Sequence, residues 1–462
     1  MSSDKNHGSR GHDIAPANAL NEFMATGWAA TPLAALSAAP SVAYAAARRK
    51  KLSANHPGET LVIHAGGLKA RSNDADFRFR PHSAFAWLVG MLAGDATPDA
   101  VLVLHPTDSG HEPILFIRPR STRDTEDFYR DARYGEFWVG RRLTVEETKV
   151  RYLMEARHIN SLEEFLAGKK YLDLTNADFE RELSEMRLQK DPWEIAEMQK
   201  AVDATHRGFS DMIQVLPAAT KQKRGERIVE GAFFGRARLE GNDLGYETIA
   251  ASGSHACILH WVRNDGDVIP GDLILIDAGV EVDSYYTADI TRTLPVNGKF
   301  SQAQRKIYEL VYSAQRAAMA AVKPGALFKD INKAAQEVLA KGLEEMGVLP
   351  ISAEESMHPD SGLHRRWTVH GTSHMLGMDV HDCAHARKEQ YAEGVLTEGM
   401  ILTVEPGLYI HPDDELFPAE YRGIGVRIED DVLVTANGFR NLSAAIPAHP
   451  DEVEVWMSNL LR

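Results

Sequence analysis

Residues 271–279 read Gly-Asp-Leu-Ile-Leu-Ile-Asp-Ala-Gly, and residues 399–407 read Gly-Met-Ile-Leu-Thr-Val-Glu-Pro-Gly. Each opens on Gly, continues as an apolar run of strand length, places a carboxylate six residues on and closes with Gly two residues later. Two copies of one strand design predict a duplicated fold with a pseudo-symmetric site. Asp277 and Glu405 end these strands, where burying an unpaired carboxylate is costly. Twelve residues after Asp277 comes Asp289, and residues 282–285 between them can form a hairpin turn. That turn would bring the two acids face to face. Taken alone, the pair reads more simply as strand-end acids that cap a loop or pair with Arg292. Glu429 lies in the stretch Gly-Val-Arg-Ile-Glu-Asp-Asp-Val, residues 425–432. Strand alternation puts Arg427, Glu429 and Asp431 on one face, where Arg427 and Glu429 read most simply as a salt bridge.

Histidines complete the set. Residues 369–382, Val-His-Gly-Thr-Ser-His-Met-Leu-Gly-Met-Asp-Val-His-Asp, carry His370, His374 and His381 among small residues. Glycine there lets backbone approach a ligand closely. His260 stands in Cys-Ile-Leu-His-Trp, residues 257–261. Any one of these reads as a core histidine; three between acid-tipped strands point to a site. Four converging carboxylates would repel one another and partly protonate without cations. Two divalent ions balance the charge of Asp277, Asp289, Glu405 and Glu429. Oxygen ligands with one imidazole favour Mn²⁺, with Co²⁺, Zn²⁺ and Fe²⁺ also compatible. A metal pair about 3.5–4 Å apart polarises a carbonyl and activates water, so the chemistry expected is hydrolytic.

The rest of the chain frames that site. A length of 462 residues predicts two or three domains. An apolar fraction of 44% and a charged fraction of 25% fit a soluble globular protein and exclude wholesale disorder or a multi-span membrane protein. The net charge of −15 argues against charge-driven nucleic-acid binding. Cys257 and Cys383 are the only cysteines, too few for a disulfide framework or a thiolate metal site, and their scarcity fits a reducing compartment. The alanine-rich start is interrupted by Asn21, Glu22, Pro32 and Pro40 and does not read as a signal peptide. No apolar run reaches membrane-span length. A cytoplasmic protein without membrane attachment is expected.

The pattern is mixed α/β, with a leader over residues 1–40, a first domain to about 185 and a second over 186–462. Residues 61–63, 100–104 and 113–117 read as buried strands. Asp191, Pro192 and Glu194 read as a capped helix start at the head of the second domain. Ser301 and Gln304 cap another helix, whose apolar positions repeat at helical spacing until Pro324-Gly325 ends it.

Together these motifs resemble aminopeptidase P, the Xaa-Pro aminopeptidases of the pita-bread metallopeptidase family, with prolidases as near relatives. The resemblance covers residues 60–455 and is strongest over residues 273–300, 370–382, 397–410 and 421–431. It implies a pita-bread catalytic domain behind a smaller, creatinase-like N-terminal domain that aids homo-oligomerisation as a dimer or tetramer. It implies five metal ligands, Asp277, Asp289, His374, Glu405 and Glu429, with Asp289 and Glu429 shared by both ions. It gives Glu405 the role of general acid/base, His381 with His370 that of oxyanion stabilisation, and His260 and Arg427 places around the substrate. The chain departs from the family twice. The spacing between Asp277 and Asp289 is one residue longer than usual, and the hairpin tip is expected to absorb it. Residues 384–391 also differ, on what is expected to be the substrate's far side.

The expected reaction removes the N-terminal residue from peptides with proline second. Proline lacks an amide N–H, so peptidases that grip the substrate there lose a contact, whereas metals need only the carbonyl and the free amino terminus. A prolidase, cutting Xaa-Pro dipeptides alone, shares every ligand named. Methionine aminopeptidase normally lacks so large a first domain, and creatinase uses no metal. A non-catalytic binding module on the same fold is the alternative from another class. Phe77, Phe79, Phe85 and Trp87 are expected either to pack internally or to reach a neighbouring subunit.

Overall fold

The computed structural model describes residues 18–29 and 35–461. The chain divides into two compact units, Met1–Phe179 and Glu180–Arg462. Parts of the expected leader, residues 1–17 and 30–34, lie outside the described residues; Asn18–Met24 is helical.

The first unit is built on a five-stranded sheet. Its order is Glu155–His158, Gly110–Ile117, Val101–Thr107, Thr60–His64 and Tyr171–Leu172. The two edge strands run parallel to their neighbours and the central pairs are antiparallel. The uninterrupted apolar runs predicted from sequence form the central strands, with Leu61, Val62, Ile63, Leu102, Val103, Leu115 and Phe116 buried. Helix Val42–Asn55 buries Ala45 and Leu52. Its Arg48 and Arg49 donate to the carbonyls of Trp87 and Leu88 at 3.0 and 2.5 Å, satisfying orphan acceptors at the end of helix Ser83–Val89. Phe85 and Trp87 belong to this core, whereas Phe77 is exposed.

The second unit repeats one design. Helix Pro192–Ala219 starts as expected, with a reciprocal capping box between Asp191 and Glu194 and proline in the first turn. It packs against Gly225–Glu240. The second helix pair is Gln302–Ala321, capped by Ser301 and Gln304, with Phe328–Glu345. Each pair accompanies a three-stranded antiparallel sheet: Ile290–Pro295, Leu273–Ala278 and Ile249–Ser252 in the first half, then Ile401–Val404, Asp430–Thr435 and Gly438–Asn441 in the second. The two sequence copies are the strands Leu273–Ala278 and Ile401–Val404. Each is preceded by a glycine in the left-handed region, Gly271 at φ 99° and Gly399 at φ 90°.

Hairpin register shows how the longer aspartate spacing is accommodated. Leu273 pairs with Pro295, and the same register runs through Ala278 with Ile290 and Glu281 with Thr287. The tip is Asp283-Ser284-Tyr285, closed by Val282 N–H on the Tyr286 carbonyl, with Tyr285 at φ 68°. A three-residue loop ending in a left-handed residue is a standard hairpin solution. The tip is tied to helix Pro192–Ala219, because Ser284 donates to Glu197 and Tyr286 Oη to Glu194, both at 2.7 Å. Among the described residues no helix is long and apolar enough to cross a membrane.

Candidate active site

The first two acids are diagonal neighbours. Asp277 faces Thr291 across the hairpin, and Asp289 lies two residues before Thr291 on the same face. The strands approach closely here, since a Cβ on Gly279 would collide with the Ala288 carbonyl. Tyr246 Oη lies 2.7 Å from Asp277 Oδ1 and 2.5 Å from Asp289 Oδ1. One hydroxyl proton thus serves two carboxylates.

The other two acids face each other directly. Val404 pairs with Asp430 and Gly407 with Arg427 in one continuous register, which sets Glu405 opposite Glu429. The halves join at Thr291: its carbonyl accepts from Glu429 N–H at 3.0 Å, and its Oγ1 donates to Glu429 Oε2 at 2.7 Å. This joint brings all four carboxylates together. Arg427 bridges it, donating to Asp277 Oδ2 at 2.6 Å and to Tyr409 Oη at 3.0 Å. The salt bridge that strand alternation suggested, Arg427 with Glu429, is thus made to Asp277 across the joint. Arg292, the other simple partner for Asp277 or Asp289, instead pairs with Asp430 at 2.6 Å and donates to the carbonyls of Pro447, Thr291, Glu429 and Ile446.

The histidine segment runs beside strand Ile401–Val404. His374 N–H donates to Thr403 Oγ1 at 3.1 Å, and Glu405 N–H to the Thr372 carbonyl at 2.8 Å. His374 Nδ1 sits 3.1 Å from the Met375 carbonyl, which leaves Nε2 facing Asp289 Oδ2 at 3.2 Å and Glu405 Oε1 at 3.6 Å. His370 Nδ1 contacts the Gly371 carbonyl, and its Nε2 accepts from Tyr409 Oη, both at 2.7 Å. The His381 ring lies edge-on to His374, with centroids 4.6 Å apart. A cavity of about 620 Å³ is lined by His260, Asp277, Asp289, His370, His374, His381, Glu405, Arg427 and Glu429, with an apolar wall of Ile249, Leu259, Val262 and Val380. Every site residue read from the sequence therefore meets in one place. Residues 384–391 do not line it. Tyr391 packs against Phe328, and its Oη accepts from Met375 N–H at 2.7 Å, so the segment braces the histidine stretch from behind.

Tyr246, Tyr409, Thr291 and Asp431 were not singled out as functional from sequence. Tyr246 lies outside every motif quoted above; Tyr409 lies within residues 397–410, but its partners, Arg427 and His370, belong to other segments. Asp431 is fully buried, faces Thr403 and accepts from Asp289 N–H at 3.2 Å.

The electrostatics of the cluster call for cations. Burial first, and then Asp289 and Glu405, push Glu429 well above the carboxylate range. Glu405 rises to about 7, from burial and from Asp289, against the opposing charge of His374. Asp277 is also raised, mainly by burial, although Arg427 pulls it down. Burial opposes the charge on His374, but its hydrogen bond to Asp289 and the Glu405 charge outweigh burial and raise it to about 9. Burial and the Arg427 charge hold His370 near 4, hence neutral. The cluster thus holds protons where ions would neutralise it. Asp289, His374 and Glu429 already offer ligand atoms within 4.8 Å of one another. This donor set fits divalent cations.

A model of metallopeptidase family M24 matches residues 196–436, and one of the aminopeptidase P N-terminal domain matches residues 45–172. The chain belongs to metallopeptidase family M24. Xaa-Pro aminopeptidase 1 of Streptomyces coelicolor is 51% identical over 461 residues, covering 96% of this chain and 92% of that protein. The Escherichia coli Xaa-Pro aminopeptidase is 35% identical over 87% of this chain and 94% of its own. Among solved structures, E. coli aminopeptidase P with the inhibitor Pro-Leu matches with a TM-score of 0.78 at 31% identity, covering 92% of this chain and 99% of that one. The mixed α/β architecture, with its N-terminal domain and C-terminal M24 domain, is therefore that of aminopeptidase P.

Proposed function

We propose that this M24 chain is an Xaa-Pro aminopeptidase, a hydrolase that releases the N-terminal residue from peptides with proline second. Asp277, Asp289, His374, Glu405 and Glu429 would hold two divalent ions, with Mn²⁺ as the resident metal. The observation that carries this reading is the convergence of these five side chains from both halves of the duplicated unit on one cavity. When bound, the ions supply Lewis-acid polarisation of the scissile carbonyl and activation of water.

The chain's own groups supply the rest. Glu405, whose carboxylate faces the cavity, would take a proton from water and give it to the departing proline nitrogen. His381, supported by His370, would stabilise the developing oxyanion. Arg427 ties Asp277 to Tyr409 and so fixes the ligand and the hydroxyl that orients His370. His260, beside the apolar wall, would touch the substrate near the scissile bond. The scarce cysteines support a cytoplasmic location. The similarity of the first unit to the aminopeptidase P N-terminal domain supports a homo-oligomer, a dimer or tetramer.

The test compares Xaa-Pro-Yaa tripeptides with Xaa-Pro dipeptides, using chelator-treated protein before and after Mn²⁺ addition. Metal-dependent release of the N-terminal residue from tripeptides is expected. Cleavage confined to dipeptides would make the protein a prolidase, and no cleavage of either would favour a binding module.

A further inference from the structure

Glu226 is a fully buried carboxylate in the first turn of helix Gly225–Glu240, outside the site described above. Its Oε1 accepts from Ser252 N–H and His255 Nδ1, both at 2.8 Å. Its Oε2 accepts from Trp261 Nε1 at 2.8 Å and Gly266 N–H at 2.7 Å. All four lone-pair positions of the carboxylate are thereby used, and every donor comes from residues 252–266, the segment that carries His260. Glu226 N–H also donates to the Gly266 carbonyl at 3.2 Å. The clamp is tight, because a Cβ on Gly266 would lie 2.6 Å from His255 Nδ1 and 2.8 Å from Glu226 Cδ.

The clamp reaches His260 through its neighbours. The His255 and Trp261 rings stack with centroids 3.9 Å apart. Leu259 and Trp261, on either side of His260, pack against the cluster of Ile249, Ala251, Cys257, Leu275 and Tyr409. His260 itself is exposed in the cavity wall, so its place is set by the backbone that bears it. A buried charge spent wholly on one loop is an expensive device, and here it anchors both ends of that loop to a rigid helix.

We infer that Glu226 is a positioning residue for the substrate contact made by His260: its carboxylate locks residues 252–266 and so fixes where His260 meets the peptide. The inference rests on the proposed role of His260. Glutamine at 226 would turn an amide NH₂ toward two of the four donors, breaking half of the clamp at nearly constant size.

The experiment is a double-mutant cycle on the Mn²⁺-loaded full chain, with an Xaa-Pro-Yaa tripeptide, comparing wild type, Glu226→Gln, His260→Ala and the double variant. A misplaced contact costs up to about 100-fold, so Glu226→Gln is expected to lose about 10- to 100-fold in kcat/KM with unchanged metal content. In the His260→Ala background, Glu226→Gln should cost less than about twofold, because residues acting through one contact are not additive. Losses that multiply in the double variant would overturn the inference, as would wild-type kcat/KM for Glu226→Gln beside an impaired His260→Ala. Wild-type activity of His260→Ala would instead overturn the substrate role of His260. If Glu226→Gln fails to fold, Trp261→Phe takes its place in the cycle. It removes one donor and keeps the ring stack, and the same non-additivity is expected.

Discussion

Replacing Glu405 by glutamine is expected to lower kcat on Xaa-Pro-Yaa tripeptides by about a thousandfold, within the range assigned to a positioned proton-transfer group. The change keeps size and shape, and Glu405 N–H still donates to the Thr372 carbonyl, so the fold should survive. Three things are lost together. The carboxylate opposite Glu429 no longer contributes charge to the ions, the group that moves the proton is gone, and His374 Nε2 loses an anionic neighbour at 3.6 Å. The loss should appear in kcat more than in KM, since an interaction that matters in the transition state is removed. Metal content, measured alongside, should also fall. Full activity with full metal content in Glu405→Gln would contradict the assignment.

The second large effect concerns stability. Asp382 directly follows His381 and is buried with two cations, Lys190 Nζ at 2.8 Å and Arg187 Nη2 at 3.1 Å. Asp382→Asn would leave buried Lys190 without its carboxylate and Arg187 with Asp379 alone, at 3.1 Å, and breaking a buried pair costs about 3–5 kcal/mol. The midpoint of urea unfolding should drop accordingly. Burial alone would raise the Asp382 carboxyl, but Lys190 and Arg187 overcome it and bring it from 3.8 to about 2. A depressed carboxylate stabilises the folded state at pH values above its unfolded pKa. That contribution is full above pH 4 and lost as pH falls toward 2. The substitution should therefore cost most near neutrality, and the variant's stability should fall less than that of wild type between pH 4 and pH 2. Equal stability of the two proteins at pH 7 would refute the argument.

Much of this was legible in the sequence because it is written in local pattern. The two glycine-bounded strands gave the duplication, and capping residues such as Asp191 and Ser301 marked helix starts that the structure shows to the residue. The four acids were legible from strand ends and strand alternation, whereas singling out His374 from the histidine segment rested on the family resemblance. Partnerships were less so. Whether Arg427 meets Glu429 or Asp277 depends on how two sheets join at Thr291, and nothing local encodes that joint. Tyr246, Tyr409 and Glu226 escaped notice for the same reason: their chemistry exists only once segments distant in sequence meet. Residues 384–391, expected on the substrate's far side, do not line the cavity, and Cys383 just before them adopts φ 61°.

The most direct test is anomalous diffraction from crystals of the full chain grown with Mn²⁺. Two manganese peaks per chain are predicted in the cavity, enclosed by Asp277, Asp289, His374, Glu405 and Glu429. An absence of manganese among these five side chains, with the ions bound elsewhere or not at all, would contradict the account.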